Sequence, residues 1–144
     1  MEIVKESLDK WLESLKPYQR DAIKIMLQNN DGDEEKIAQL WLNSKGPINT
    51  VTFGGNPSNI PNKNYFQCLK RELNKFICGD ESYETDRKQI LGENNCINIA
   101  FTTSIASILA PIVGMSAAIL TPAIVLLLYV IGKISVNAYC AMVK

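Results

Sequence analysis

Over residues 2–16, Ile3, Val4, Leu8, Trp11, Leu12 and Leu15 recur on one helical face, with Lys and Glu on the other. The pattern predicts an amphipathic helix ended by Pro17, whose fixed φ suits the first turn of a second helix over about 18–29. Tyr18, Ile23, Met26 and Leu27 are that helix's apolar side, and the stretch NNDGD stops it. A third helix is predicted from Asp33 as a cap through EEKIAQLWLNS, with acids in the first turn where the helix dipole favours them. Gly46-Pro47 closes it.

The pattern then changes period. Ile48–Phe53 is short, β-branched and alternating, which predicts a strand or an extended edge. Gly54-Gly55, Asn56-Pro57 and Ile60-Pro61 follow as a loop. Helical spacing returns over about 63–78, with Tyr65, Phe66, Leu69, Leu73, Phe76 and Ile77 on one side and Lys70, Arg71 and Lys75 on the other. Gly79 stops this helix, and Asp80 or Ser82 caps a fifth, mostly polar one reaching about Leu91.

Beyond residue 95 the chain is nearly free of charge. Between Glu93 and Lys133 lie 39 residues without Asp, Glu, Lys or Arg. As one helix they would measure about 58 Å, nearly twice the hydrocarbon thickness of a bilayer, so two antiparallel spans are predicted. Thr121-Pro122 is a cap-and-proline start for the second span; Pro111 and Gly114 offer a competing break, which leaves the turn between 111 and 122. Ala100, Ser104, Ser107, Pro111, Gly114, Ala118 and Thr121 form a stripe of narrow side chains, suited to close helix packing or to lining an aqueous path. Asn98, Thr102 and Thr103 add polarity at one mouth. With short spans, Lys133 sits at the interface and snorkels; with a second span starting at Pro122 it lies near mid-membrane and must face a cavity or partner.

Composition sharpens this division. The 15 basic and 15 acidic residues cancel overall, yet all the acids and all but Lys133 and Lys144 of the bases precede residue 96. The chain is therefore expected to be mainly α. A helical cytoplasmic domain over 1–95, with a short strand and Gly-rich loop, precedes a two-helix transmembrane hairpin over 96–144. Arg87, Lys88 and Lys144 flank the hairpin, which by the positive-inside rule leaves both ends in the cytoplasm. The absence of histidine removes the usual general base and the commonest metal ligand, and neither a catalytic set nor a cofactor or metal motif is found. Cys68, Cys78, Cys96 and Cys140 have no metal-ligand spacing and are expected as free thiols.

Two groups of candidate site residues emerge. Lys63, Lys70, Arg71 and Lys75 are the densest basic cluster, readable as a solvated helix face or as a phosphate-binding face beside Gly54-Gly55. Phe53 and Tyr65 are either core aromatics or stacking surfaces for single-stranded bases. Asn98, Thr102, Thr103, Ser104, Ser107 and Lys133 are the candidate pore-lining set.

In layout, a polar helical domain of about 95 residues followed by a membrane tail, the chain resembles the channel-type effectors of bacterial anti-phage defence, and among them the A proteins of Hailong systems. The resemblance implies a homo-oligomeric ion channel in the bacterial inner membrane. It implies a cytoplasmic crown that binds a single-stranded DNA oligomer made by a partner nucleotidyltransferase, the DNA holding the channel shut. A pore-forming toxin without a nucleic-acid ligand, or a membrane-anchored adaptor, shares the same layout.

Overall fold

A computed structural model describes residues 2–30, 32–45, 65–92 and 96–143. The expected strand at Ile48–Phe53, Gly54, Gly55 and Lys63 lie outside the described residues. The fold is mainly helical, in the order β1 (Glu2–Ile3), α1 (Leu8–Leu12), α2 (Pro17–Asn29), α3 (Glu34–Lys45), α4 (Tyr65–Cys78), α5 (Glu84–Leu91), β2 (Cys96–Ile97), α6 (Thr102–Val113), α7 (Ala117–Ile134) and α8 (Val136–Val143).

The helix expected over 2–16 is replaced by two shorter elements. Glu2–Ile3 pairs in parallel with Cys96–Ile97, and the backbone N–H of Val4 donates to the carbonyl of Ile97 at 2.8 Å. A backbone committed to that ladder cannot be helical, so α1 begins only after Ser7, whose hydroxyl accepts from the N–H of Lys10. Three capping signals hold. Pro17 opens α2, Asp33 accepts from the N–H of Lys36 ahead of α3, and Asp80 caps the 3₁₀ turn Glu81–Tyr83 that leads into α5. Arg87 donates to the carbonyls of Phe76 at 3.1 Å and Asp80 at 2.7 Å, tying α5 to the end of α4.

Residues 114–116 join α6 to α7, and the two helices pack against each other. Gly114 ends α6 in the left-handed conformation (φ 89°) and Ser116 caps α7 by accepting from the N–H of Ile119. The start expected at Thr121-Pro122 is thus displaced to Ala117, and Pro122 lies inside α7. The hydroxyl of Thr121 is spent on the carbonyl of Ala117 at 2.7 Å.

The core runs across the boundary at residue 95 without a break. Leu120 and Ala123 to Leu128 of α7 are buried together with Trp11 and Leu12 of α1, Ile37, Ala38 and Trp41 of α3, and Ile105 and Leu109 of α6. Amphipathic helices of the polar half therefore cover the most apolar helix of the tail, as burial of apolar area demands in water. β1 crosses α7 at Gly132, where a side chain would meet Ile3 Cγ2 at 3.3 Å.

Two buried donors tie α7 to its cover. Gln19 donates its side-chain amide to the carbonyl of Ala118 at 2.9 Å, and Trp41 donates its indole N–H to the carbonyl of Ile119 at 2.8 Å. The thiols are the clearest departure from expectation. Cys78 and Cys140 form a disulfide that joins α4 to α8, while Cys68 and Cys96 are free. Composition favours free thiols; the fold overturns that by bringing two cysteines 62 residues apart to a Cα separation of 5.6 Å.

Candidate functional site

α4 has a sharply two-sided composition. Phe66, Leu69, Leu73, Phe76 and Ile77 are buried, while Gln67, Lys70, Arg71, Asn74 and Lys75 share the opposite face at steps of three, four, seven and eight. With Val143 of α8 these five residues line an open cavity of about 370 Å³. Three of the expected ligand residues, Lys70, Arg71 and Lys75, therefore do share one surface.

Their charges are partly engaged. Lys70 pairs with Glu35 of α3, and its ammonium lies 6.0 Å from the centre of the Phe66 ring. Arg71 places Nε 3.2 Å from Glu72 Oε2, and Lys75 Nζ is 3.4 Å from the same oxygen. Arg71 also directs Nη2 to the sulfur of Cys68 at 3.6 Å. Three cations thus face two carboxylates, and Arg71 is the most exposed of them, with two thirds of its side chain open to water.

Glu72 is a buried carboxylate that periodicity did not single out. Its Oε1 accepts from the Tyr83 hydroxyl at 2.7 Å, and its Oε2 faces Arg71 and Lys75. Burial pushes its pKa upward, but the hydrogen bonds from Tyr83 and Arg71 and the charge of Lys75 outweigh that, leaving it below the usual carboxylate value. The same burial and hydrogen bond drive the Tyr83 hydroxyl far above its ordinary pKa. Glu72 therefore stays ionised and holds Arg71 and Lys75 side by side at the cavity rim. The signal that could have found it is its place four residues before Phe76, on the buried side of α4.

Tyr65 opens α4 and packs, half-buried, against the core. Phe53, Gly54, Gly55 and Lys63 lie outside the described residues.

The second expected set is divided. Asn98, Thr103, Ser104 and Ser107 are exposed, as are Ala100, Pro111, Gly114 and Ala118, but the turn at Gly114 divides the expected stripe: only Ser104, Ser107 and Pro111 lie on the open side of α6, while Ala118 and Thr121 belong to α7. Asn98 caps the turn before α6 by accepting from the N–H of Ala100 at 2.8 Å. Ser107 donates to the carbonyl of Thr103 at 3.1 Å. Thr102 is buried and donates to the carbonyl of Ile99, and Thr121 is likewise turned inward. Lys133 lies near the end of α7, with Nζ 3.1 Å from Glu34 of α3 and 4.7 Å from the centre of the Tyr129 ring. The tail holds no acid to pair with it; the partner comes from the polar half.

No protein-family model, curated protein or solved structure matches the chain.

Proposed function

We propose that this protein is a membrane-acting effector, a homo-oligomeric channel of the bacterial inner membrane. In this reading α6 and α7 cross the bilayer and the water-facing helices control opening from the cytoplasmic side. The observation that carries it is α7: an 18-residue helix of mean hydropathy 2.2, joined through a short turn to the apolar segment Ile99–Val113. At 1.5 Å per residue α7 is about 27 Å long, close to the hydrocarbon thickness of a bilayer. α6 with its leading turn is shorter, about 22 Å, and its polar entrance at Asn98 would lie at the interface.

The exposed narrow side chains Ser104, Ser107 and Pro111 on α6 support assembly, since small side chains let helices approach closely in lipid. A hairpin cannot enclose a path by itself, so conduction requires several copies. The cavity on α4 is the ligand site of the proposal, with Arg71 and Lys75 as phosphate partners and Lys70 available on exchange of its Glu35 contact. A single-stranded DNA oligomer supplied by a nucleotidyltransferase is the ligand that the layout resemblance implies. Copies arranged in a ring would multiply a modest local charge into a strong one. Ligand binding then biases the closed state, and its loss opens the channel.

A second reading has its own observation. A little over half of α7 is buried, and Gln19, Trp41 and Glu34 each make a polar tie to it, as in the core helix of a water-soluble anion-binding protein. Planar-bilayer conductance with and without short single-stranded DNA, run beside liposome co-sedimentation, separates the two. The channel reading expects membrane-bound protein whose conductance falls on adding DNA. Protein that stays in the supernatant and conducts nothing would overturn it.

A further inference from the structure

α7 and α8 are separated by one residue, Ser135, which stands at φ 99° and ψ 146°. That conformation belongs almost entirely to glycine, because an L side chain there crowds its own backbone. Nothing in the local sequence demands the break, since GKISVNAYC contains no proline and its single glycine, Gly132, lies inside α7. The break persists because α8 is fastened elsewhere. The Cys78–Cys140 disulfide ties it to α4, the Tyr139 hydroxyl donates to Asn74 Oδ1, and Val136 and Tyr139 are buried.

Ser135 also serves both helix ends. Its N–H donates to the carbonyl of Ile131 at 3.0 Å, closing α7, and its hydroxyl accepts from the N–H of Ala138 at 3.3 Å, capping α8. A rotation into helical φ and ψ would give the N–H groups of Val136, Asn137 and Ala138 the carbonyls of Gly132, Lys133 and Ile134. Ala117–Val143 would then be one helix of about 40 Å, long enough to cross a bilayer and emerge.

We infer that the Cys78–Cys140 disulfide is a redox latch. Oxidised, it holds α8 folded back on α4 across a strained Ser135; reduced, it lets α7 and α8 join into one continuous helix. The reductant is a dithiol. One of its thiolates attacks a sulfur of the disulfide and breaks the S–S bond, and its second thiol resolves the mixed disulfide. Two electrons and two protons pass to Cys78 and Cys140, which become thiols, and the dithiol becomes a disulfide. Both cysteines are only partly buried, so the bond is within reach. The cytoplasm supplies such reductants and oxidising compartments do not, which makes the state of the latch a report on where the chain resides. Because the readout is helix continuity and not conductance, the inference stands or falls apart from the membrane reading.

The test is hydrogen exchange on the full chain, oxidised and after mild dithiol reduction, read at the amides of residues 136–138. Reduction is expected to raise their protection by about tenfold or more as they gain helical acceptors. Ser135→Ala, which favours the helical form, should enlarge that gain, and Ser135→Gly, which tolerates the positive φ, should reduce it. Loss of protection over 139–143 without a gain at 136–138 would mean that α8 merely frays, and the latch is overturned. Unchanged protection throughout overturns it equally. The Cys78→Ser/Cys140→Ser pair should behave as the reduced protein does. Should that variant fail to fold, the reduced wild type still decides the question.

Discussion

Gln19 on α2 donates its side-chain amide to the main-chain carbonyl of Ala118, 2.9 Å away in the first turn of α7. That carbonyl lacks its helical donor because Pro122, four residues on, has no N–H and its ring pushes the carbonyl outward. A buried glutamine thus repairs the gap that an internal proline opens in α7, the most apolar of the described helices. Replacing Gln19 by Leu should cost about 1–3 kcal/mol in urea unfolding, the penalty for an orphaned buried acceptor. Pro122→Ala restores the missing N–H, so in that background the same Gln19→Leu change should cost far less. Equal costs in the two backgrounds would show that the contact carries no such role.

Gly132 is the point at which β1 passes over α7. Gly132→Ala puts a Cβ 3.3 Å from Ile3 Cγ2, a flexible side-chain end, and gains about 1 kcal/mol of helix propensity, so it should be close to neutral. Gly132→Leu has no such room and should destabilise by about 1–3 kcal/mol, partly relieved by Ile3→Ala. Thermal melts of the three variants check this; a harmless Gly132→Leu would mean that β1 does not lie across α7.

The Tyr83–Glu72 bond sets an acid limit. Glu72 has a folded pKa below its ordinary value, so its contribution to stability is complete above the ordinary carboxylate range and is lost as pH falls through the lowered folded value. Tyr83→Phe removes one of the bonds that lower it while burial still opposes ionisation. The Glu72 pKa should then rise toward its ordinary value, so the acid-dependent loss should be smaller and complete at higher pH, and stability at neutral pH should fall by about 1–3 kcal/mol. A carboxyl NMR titration that leaves Glu72 unmoved in Tyr83→Phe would refute the assignment.

Removing the disulfide should be expensive. Cys78 and Cys140 close a loop of 62 residues, for which the chain-entropy estimate is about 4 kcal/mol. Guanidinium unfolding of oxidised wild type should respond to reductant by that order, whereas Cys140→Ser should not respond at all. Identical wild-type midpoints with and without reductant would mean that the bond is not formed.

Binding of an oligonucleotide, if it uses the α4 cavity, should be sensitive to Arg71, the most exposed cation there. Arg71→Glu should weaken single-stranded DNA binding and reduce the slope of log affinity against log salt by about 0.7 for each phosphate no longer neutralised. An unchanged slope would move the site elsewhere.

Much of the layout was legible from local signals. Pro17, Asp33, Gly79 and Gly114 each act on their own backbone or on neighbours within a turn, and each stands where an element starts or stops. The basic face of α4 was legible for the same reason, because helical spacing alone puts Lys70, Arg71 and Lys75 together. β1 was not. Residues 2–4 carry a helical pattern, and only the distant strand at Cys96–Ile97 outcompetes it. Glu72 was missed because a charge at a core-facing position is costly unless Tyr83, Arg71 and Lys75 converge on it.

By itself the sequence determined that the chain is mainly helical, that its acids, and all its bases but Lys133 and Lys144, precede residue 96, and that an apolar segment of membrane length follows. These are properties of spacing and composition, read within a few turns. Only the tertiary structure decided that the amphipathic helices close over α7, that Lys133 finds Glu34, that Gln19 serves the carbonyl opposite Pro122, and that Cys78 meets Cys140. Each of those pairs joins residues at least 62 positions apart. Their meeting depends on how all the apolar faces are buried at once, which no local stretch encodes.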